Sequence, residues 1–463
     1  MFDSTLTPIL ELLNDFNREA AMKSNLTLKL KIAFVLFLTL SQNAYVFAQS
    51  TANPFIGIWS GKAITKAENT KLELHISELA GKITVEMTLP DVGVTGWPAN
   101  YAEVKSNVLT VTFMSDSGVQ KMKLTLDDKT LKGSWQEPRF NEDSVIELLL
   151  PPKAESVTEQ RILIEGPTGK LGASLFLPNC NTRCPGAVFL HGSGPQPRDS
   201  SRFAAQTFAE HGIASIIFDK RGVAESEGEL AGVTFDGLAA DGIAIAEYLL
   251  SQSKVSKVGF FGHSQGGWIG PLAGSKWSKT AFVISSAGPA VSPSREAQWD
   301  VVRKMRLAAE DKAEIDAAIH IIELWHGSIR SANWQTFDAA LNSTSKKPWF
   351  AKSGLAYFTK PNHDFVKSYR AFMDHNPITA LKQLNSPLMS ILTHDDESID
   401  SVETLKILSN MIADGQDIQL KYYQGYDHSL RKLNVGGQLL RWPEHPHDYF
   451  SSQAAFIHDV VGE

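Results

Sequence analysis

Residues 257–268 read KVGFFGHSQGGW, and this segment is the most informative part of the chain. Its apolar first half predicts a buried strand, the residues after it predict a helix, and the Gly-x-Ser-x-Gly pattern between them predicts a sharp turn. Such a turn is strained and holds the hydroxyl of Ser264 clear of the sheet, and a Cβ at Gly262 or Gly266 would crowd it. The segment therefore predicts Ser264 as a nucleophile, although a serine that only caps the helix would also fit.

Length and composition limit the classes of protein to be considered. A chain of 463 residues is too long for one ordinary domain, and 43% hydrophobic with 21% charged residues is typical of a globular protein with a sizeable core. A net charge of −7 without a basic patch argues against nucleic acid or an anionic membrane as a partner. No zinc-protease, Walker or dinucleotide-binding motif is present, and we expect neither a cofactor nor a metal.

The N-terminal segment predicts export. A region with several lysines precedes the apolar run 32–40, and residues 46–48 read VFA, a small-residue cleavage site. This is the layout of a signal peptide over residues 1–48, with translation starting at Met22, and its apolar run is too short to cross a membrane. We expect a periplasmic or extracellular protein without stable membrane insertion after cleavage, and an uncleaved N-terminal anchor is the alternative.

The two cysteines of the chain are Cys180 and Cys184. In an oxidising compartment this pair could close a small disulfide in a surface loop. Two cysteines without further ligands cannot form a zinc site. The sequence leaves the oxidised and the reduced state equally open.

Residues 53–150 predict an accessory β domain. Short segments of alternating apolar and polar residues recur between turn residues, for example at 71–76 and 108–113. This period-two pattern is typical of an antiparallel sandwich or barrel. The segments 57–61 and 133–135 resemble matching first and last strands. No convergent set of catalytic residues lies in this region.

Beyond the linker 151–155, strand patterns alternate with helical patterns, which predicts a mostly parallel sheet. This α/β region covers residues 160–463. Between about 293 and 385 the strand patterns vanish and amphipathic helical stretches with scattered aromatic residues take over, which predicts an inserted helical cap. We expect some of the cap aromatics to line a substrate pocket.

Two later loops supply the partners that a serine nucleophile needs. Asp396 and His428 each follow directly after an apolar strand pattern, so both lie at the sheet edge where Ser264 emerges. A histidine can accept the serine proton while a carboxylate orients the imidazole, and the chain order Ser, Asp, His is the one that this topology allows. Asp395 and Glu397 are alternatives for the carboxylate.

An oxyanion formed at Ser264 would need two backbone N–H groups aimed at one point. One is expected from Gln265, the residue after the serine. The other is expected from Ser193, in a glycine-containing loop after an earlier strand pattern, with Gly192 as the alternative.

The remaining polar residues near these motifs are interpreted as structural. His191 and His263 stand outside the Ser-Asp-His order. Asp219 and Arg221, at the end of another strand pattern, are expected to fix loops by hydrogen bonding. Loop composition explains the segment HPHD at 445–448 more simply than a metal site does.

Three motifs in this order, followed by the late aspartate and histidine, resemble the α/β-hydrolase superfamily. They are HGSGP at 191–195, DKRG at 219–222 and GHSQG at 262–266. More narrowly, they are similar to bacterial carboxylesterases with an N-terminal β domain, relatives of dienelactone-hydrolase and serine-aminopeptidase proteins. The resemblance covers residues 160–463 well and 53–150 loosely. It implies an α/β-hydrolase fold with a helical cap, and hydrolysis of short- to medium-chain acyl esters without a cofactor.

The sequence thus predicts an exported serine carboxylesterase that forms an acyl-enzyme on Ser264 and acts on a small-molecule ester. A serine peptidase of the prolyl or aminopeptidase type is the alternative. It would need an acidic cap residue to hold the substrate amine, and Glu296, Glu310 and Glu314 are available. A non-catalytic binding protein on a hydrolase scaffold is a further alternative.

Overall fold

Two β-sheets account for most of the regular structure in the chain. The computed structural model describes residues 53–115, 118–150, 157–180, 182–359, 363–435 and 438–462. The predicted signal peptide over 1–48, with its start at Met22, lies outside the described residues, and so does the predicted linker 151–155.

The first sheet is antiparallel and is formed by the N-terminal part of the described chain. Its strands are β1 (Gly57–Ile64), β2 (Asn69–Leu79), β3 (Lys82–Leu89), β4 (Val94–Pro98), β5 (Tyr101–Lys105), β6 (Val108–Ser115), β7 (Gly118–Asp127), β8 (Thr130–Gln136) and β9 (Ser144–Leu149). They lie in the order β4-β3-β2-β1-β9-β8-β7-β6-β5. The predicted antiparallel β domain is therefore confirmed.

Alternating burial explains how this sheet builds a core. In β2, Leu72, Leu74 and Ile76 are buried while the residues between them face outward, as expected for a sheet with one covered face. β4 and β5 form the two edges, yet only residues 99 and 100 separate them, so the sheet curves until its edges meet around one apolar core. The prediction that 133–135 forms the last strand is wrong, because β9 follows it and lies between β1 and β8.

The second sheet is mostly parallel. Its strands are β10 (Thr158–Gly166), β11 (Gly169–Leu177), β12 (Cys184–Leu190), β13 (Ala214–Phe218), β14 (Val255–His263), β15 (Thr280–Ser286), β16 (Leu388–Thr393) and β17 (Ile418–Tyr423). They lie in the order β10-β11-β13-β12-β14-β15-β16-β17, and only the pairs β10–β11 and β11–β13 are antiparallel within it. β12, β13 and β16 are buried along their whole length because both faces of the sheet are covered.

Helices cover both faces of this sheet. The flanking helices are α1 (Arg202–Glu210), α2 (Phe235–Leu250), α3 (Gln265–Lys276), α9 (Ser401–Ala413) and α10 (Tyr449–Val461). The apolar sides of α2, α3 and α9 pack on one face, and those of α1 and α10 pack on the other. The strand order and the two helical layers confirm the predicted α/β-hydrolase fold. Among the helices in the described ranges, none is long and apolar enough to cross a bilayer.

A helical cap is inserted between β15 and β16. Its helices are α4 (Pro293–Leu307), α5 (Lys312–Ser331), α6 (Gln335–Thr344), α7 (His363–Phe372) and α8 (Pro377–Gln383). The cap has its own apolar core around Trp325. It contacts the sheet layers through Phe372, whose ring stacks on Phe235 of α2 with centroids 4.8 Å apart. The aromatic residues of this segment thus serve mainly as cap core.

The pairing of the cysteines, which the sequence left open, is resolved by the structure. Cys180 and Cys184 are joined by a disulfide directly before and at the start of β12. The backbone N–H of Cys184 donates to the carbonyl of Lys254 at 2.7 Å. Because β12 and β14 are parallel, the disulfide at the start of β12 lies at the opposite end of the sheet from Ser264, which follows the end of β14.

A hairpin from the C-terminal part of the chain reaches into the first sheet. Its strands are β18 (Lys432–Val435) and β19 (Gln438–Glu444). Trp442 is 2% exposed and stacks on Trp135, with ring centroids 5.9 Å apart, inside the core of the antiparallel sheet. Arg441 beside it donates to Ser144 Oγ at 2.6 Å. The hairpin begins four residues after His428, so it ties the loop of that histidine to the β domain.

Replacement of Trp442 by alanine tests this connection. Loss of a fully buried indole removes its packing and leaves a cavity, and we expect Trp442→Ala to destabilise the protein by about 3–5 kcal/mol. Urea unfolding followed by intrinsic fluorescence and circular dichroism measures the change. Leu307→Ala, at a side chain that is 74% exposed, is the control and should change the stability by less than about 0.5 kcal/mol. Equal effects of the two substitutions would contradict the assigned role of the hairpin.

Candidate active site

Ser264 occupies the turn between β14 and α3, with φ 55° and ψ −117°. Such a backbone conformation costs a non-glycine residue roughly 1–3 kcal/mol and persists only where its surroundings hold it. The N–H of Ser264 donates to the Ser286 carbonyl at 3.0 Å, and its carbonyl accepts from Gly267 at 2.8 Å. A Cβ on Gly262 would lie 2.0 Å from the oxygen of Gly266, which confirms that this position needs glycine.

Asp396 and His428 are in direct contact. Nδ1 of His428 lies 2.9 and 3.0 Å from the two carboxylate oxygens of Asp396, which is 5% exposed. Asp396 Oδ1 also accepts from the N–H groups of Ser398 and Ile399, at 2.8 and 3.0 Å, so the carboxylate is oriented independently of the ring. Because Nδ1 is engaged, Nε2 is the nitrogen of His428 left for proton transfer.

The two alternative carboxylates hold the backbone of the same histidine loop. Asp395 Oδ2 accepts from the N–H of Gly425 at 2.6 Å. Glu397 Oε2 accepts from the N–H of His428 at 3.1 Å. Neither therefore competes for the imidazole, and three consecutive acidic residues fix one loop at three points.

The residue directly before Ser264 in the chain, His263, contacts His428. The ring centroids of His263 and His428 are 5.1 Å apart. No hydrogen bond between Ser264 Oγ and His428 Nε2 is present among the described contacts, and such bonds are commonly long before a substrate binds. Burial lowers the pKa of His263 to about 4, so this ring is neutral at neutral pH and adds no charge beside a protonated His428.

The two candidate oxyanion donors lie in different loops. Gly192 is not available as a donor, because its N–H is hydrogen bonded to Gln196 Oε1 at 2.9 Å. Ser193 is exposed, and its N–H has no acceptor among the described residues. The N–H of Gln265 is in the first turn of α3, where the helix itself supplies no acceptor. Of the two possibilities in the loop, the geometry thus favours Ser193.

Sequence reasoning missed Lys220. This side chain is 2% exposed, and its ammonium donates to the carbonyls of Gly192 at 2.8 Å and Gly194 at 3.0 Å. It also donates to Oε1 of Gln265 at 2.7 Å. Burial lowers the pKa of Lys220 to about 8. The available signal was a lysine placed almost directly after the mostly apolar strand β13, where a charged side chain must find partners inside the protein.

The residues expected to fix loops do so through buried ion pairs. Asp219 accepts from the N–H of Arg198 at 2.7 Å and pairs with its guanidinium at 3.0 Å. Arg221 pairs with Asp241 through two hydrogen bonds of 2.6 and 2.7 Å. His191 contacts a backbone carbonyl, and burial lowers its pKa to about 3, so it acts as a neutral structural residue.

Among the three carboxylates considered for the cap, Glu296 lies near the candidate site. It is 6% exposed; its Oε2 accepts from the N–H of Asp400 at 2.8 Å, and its Oε1 has no partner among the described residues. Burial raises the pKa of Glu296 to about 8, and the carboxylates of Asp400 and Asp396 add to this by repulsion. Glu310 and Glu314 instead hydrogen bond to each other where α4 meets α5.

The segment 445–448 has structural contacts. Nδ1 of His445 is hydrogen bonded to the Leu430 carbonyl at 3.0 Å, and its ring stacks on Tyr449. Within the described ranges, no group of three or more His, Cys, Asp or Glu side chains is arranged to hold a metal ion.

Comparison with known families identifies a match over the α/β region. A family model described as serine aminopeptidase, S33, matches residues 186–432, which is more than half of the chain. The matched segment begins within β12 and contains Ser264, Asp396 and His428. No curated protein sequence matches the chain.

Two solved structures illustrate the similarity in structure. The Pyrococcus furiosus esterase Pf2001 is 15% identical, with 67% of this chain and 97% of that chain covered and a TM-score of 0.44. The α/β hydrolase GrgF from Penicillium sp. sh18 is 17% identical, with 66% and 100% covered and a TM-score of 0.44.

Replacement of Glu296 by glutamine tests the electrostatics of the contact between the cap and the Asp396 loop. The folded protein holds a proton on Glu296 that the unfolded chain releases between its ordinary pKa of 4.5 and about 8, so stability falls as the pH rises through this window. Glutamine cannot ionise and can still accept from the Asp400 N–H. We expect Glu296→Gln to be nearly equal in stability to the unsubstituted protein at about pH 4.5 and more stable at pH 8.5, by on the order of 4 kcal/mol, since each pH unit of the window contributes about 1.4 kcal/mol.

Urea unfolding at a series of pH values measures this difference. Glu323→Gln, on the exposed side of α5, is the matched control and should leave the pH dependence unchanged. If the curves for Glu296→Gln and the unsubstituted protein stay parallel across the window, Glu296 is not a buried, protonated carboxyl.

Proposed function

The chain belongs to the serine aminopeptidase S33 family of α/β hydrolases, and we propose that it is an exported serine carboxylesterase that cleaves short- to medium-chain acyl esters through Ser264. The observation that carries the proposal is the contact of His428 Nδ1 with the Asp396 carboxylate, at 2.9 and 3.0 Å, together with a serine held at φ 55°. A histidine oriented in this way presents Nε2 as a base, and the strained turn presents a hydroxyl.

In the first half of the proposed reaction, Ser264 Oγ attacks the ester carbonyl while His428 Nε2 accepts its proton. Asp396 holds the Nδ1–H of the imidazole and stabilises the imidazolium that forms. The negative charge that develops on the carbonyl oxygen is bound by the N–H groups of Ser193 and Gln265. His428 then protonates the leaving alcohol, and an acyl-enzyme remains.

In the second half, water replaces the alcohol. His428 Nε2 removes a proton from the water, which attacks the acyl carbonyl, and the same N–H groups bind the second oxyanion. Collapse of this intermediate releases the carboxylic acid and returns the proton to Ser264. The neutral state of His263, whose pKa burial lowers to about 4, favours this cycle because it avoids repulsion with the imidazolium.

Export is part of the proposal. It is supported by the signal-peptide pattern over residues 1–48 and by the disulfide between Cys180 and Cys184, since disulfides persist mainly in oxidising compartments. An exported enzyme of this kind would meet small esters outside the cytoplasm.

Removal of the Ser264 hydroxyl tests the mechanism. We expect Ser264→Ala to lose covalent labelling by a fluorophosphonate probe and to lower kcat for p-nitrophenyl butyrate by at least about 10⁴-fold, because the nucleophile and its base act as one unit. Labelling is read by mass spectrometry of the intact protein, and turnover is read by release of p-nitrophenol.

A matched control is Ser286→Ala, since the hydroxyl of Ser286 is hydrogen bonded to the hydroxyl of Tyr449 at 2.8 Å and has no role in the proposed mechanism. This variant should keep its labelling. Turnover retained by Ser264→Ala would reject the mechanism, and absence of labelling in the unsubstituted protein would favour a non-catalytic binding protein on a hydrolase scaffold.

A serine peptidase that acts at a substrate amine is the second candidate. It is favoured by the family description and by Glu296, which is buried near Asp396 with one carboxyl oxygen unpartnered. Against it, the raised pKa of Glu296 leaves this carboxyl protonated at neutral pH, and a neutral carboxyl is a weak ligand for an ammonium group.

The two candidates predict opposite substrate preferences. For the esterase, we expect kcat/KM for p-nitrophenyl esters to exceed that for amino-acid p-nitroanilides by at least about 10²-fold, with Glu296→Gln changing neither value by more than about threefold. An acyl-chain series from acetate to decanoate then gives the chain-length preference. Preferred cleavage of anilides, lost in Glu296→Gln, would replace the esterase by the peptidase.

A further inference from the structure

One residue proposed as an oxyanion donor, Gln265, and the loop that carries the other, Ser193, are bound by the same buried ammonium. Lys220 bonds to the loop of Ser193 through the carbonyls of Gly192 and Gly194, at 2.8 and 3.0 Å, and to Gln265 through its side-chain oxygen at 2.7 Å. All three hydrogens of the ammonium are thereby used. Lys220 thereby joins the start of α3 to a loop that lies 72 residues earlier in the chain (Ser193 to Gln265).

The contact with Gly192 sets the direction of the donor on Ser193. The carbonyl of Gly192 and the N–H of Ser193 belong to one planar trans peptide unit and therefore point in opposite directions. Lys220 holds the carbonyl toward the interior at 2.8 Å. The N–H of Ser193 is consequently directed away from the interior, and Ser193 is exposed.

The charge of Lys220 is not cancelled by its surroundings. His191 faces it from the end of β12 and is neutral, because burial lowers its pKa to about 3. Asp241 faces it from α2 across a small internal cavity but is engaged by Arg221 at 2.6 Å. A positive charge that is buried and unpaired beside the donor loop would favour a developing oxyanion.

We propose that Lys220 is a positioning residue, whose ammonium aligns the N–H groups of Ser193 and Gln265 so that both point at one oxyanion. This proposal rests on the serine-hydrolase function proposed for the chain. Lys220 does not touch the substrate; it acts through the Gly192–Ser193 peptide unit and through Gln265.

Replacement of Lys220 by methionine tests the proposal, because methionine has a similar length and suits a buried position. We expect kcat for p-nitrophenyl butyrate to fall by about 10- to 100-fold with little change in KM, since donors that bind the transition state are misaligned. The inhibition constant of an alkyl trifluoromethyl ketone, which forms a tetrahedral adduct with Ser264, should rise by a similar factor. Binding of the corresponding methyl ketone should change little.

Lys257→Met is the matched control. Lys257 lies near the opposite end of β14 and donates to a backbone carbonyl, that of Val461, at 3.1 Å. Its replacement removes one lysine–carbonyl bond without reaching the donor loop. Equal kinetics of the two variants, with the unsubstituted enzyme active, would overturn the role of Lys220 and leave the esterase intact. Absence of ester and anilide turnover in the unsubstituted protein would instead overturn the proposed function.

The pH dependence of the unsubstituted enzyme gives a second readout that needs no folded Lys220 variant. The pKa of Lys220 is lowered to about 8 by burial, so kcat should fall as the pH rises through this value and the ammonium loses its proton. Glu296 titrates in the same range, and Glu296→Gln is expected to keep this fall in kcat. A kcat that stays level from about pH 7 to about pH 10, or whose fall disappears in Glu296→Gln, would overturn the proposal.

Discussion

Close backbone approach around the Ser264 turn is the constraint on which the rest of the site depends. A Cβ on Gly266 would lie 2.7 Å from the Leu190 carbonyl oxygen, and one on Gly267 would lie 2.3 Å from Cα of Gly288. The start of α3 is thus in contact with the ends of β12 and β15 without any side chain between them. Because three strand ends are held this close, the loops that follow them lie within reach of one hydroxyl group.

The site is fixed from two sides by groups of opposite charge, of which Asp396 and Lys220 are buried. On one side, Asp395, Asp396 and Glu397 bind three parts of the loop that carries His428. On the other side, Lys220 binds the loop of Ser193 and the first residue of α3. Each group bonds mainly to backbone atoms of loops, which have no regular partners of their own. These polar contacts hold the two loops, which have no regular secondary structure, in a single conformation.

Local patterns made much of this arrangement predictable. The turn at Ser264 is encoded in adjacent residues, and the positions of Asp396 and His428 follow from the rule that sites form at the carboxyl ends of parallel strands. Lys220 escaped notice because its role depends on three acceptors from two distant segments, which no periodic pattern reveals. β4 and β5 were missed because they are only five residues long. The insertion of Trp442 could not be foreseen, since the core that receives it lies three hundred residues earlier in the chain.

The hairpin of β18 and β19 has a further consequence for the architecture. Glu68, in the turn between β1 and β2, accepts hydrogen bonds from the backbone of Arg441 and Trp442, at 3.0 and 3.4 Å. The antiparallel sheet therefore encloses a strand supplied by the C-terminal portion of the polypeptide. A gene fragment that encodes only the α/β portion would leave the side chains of Trp442 and Arg441 without the antiparallel sheet that buries them. The two portions consequently cannot be exchanged as independent modules between homologous proteins unless the hairpin is exchanged with its receiving sheet.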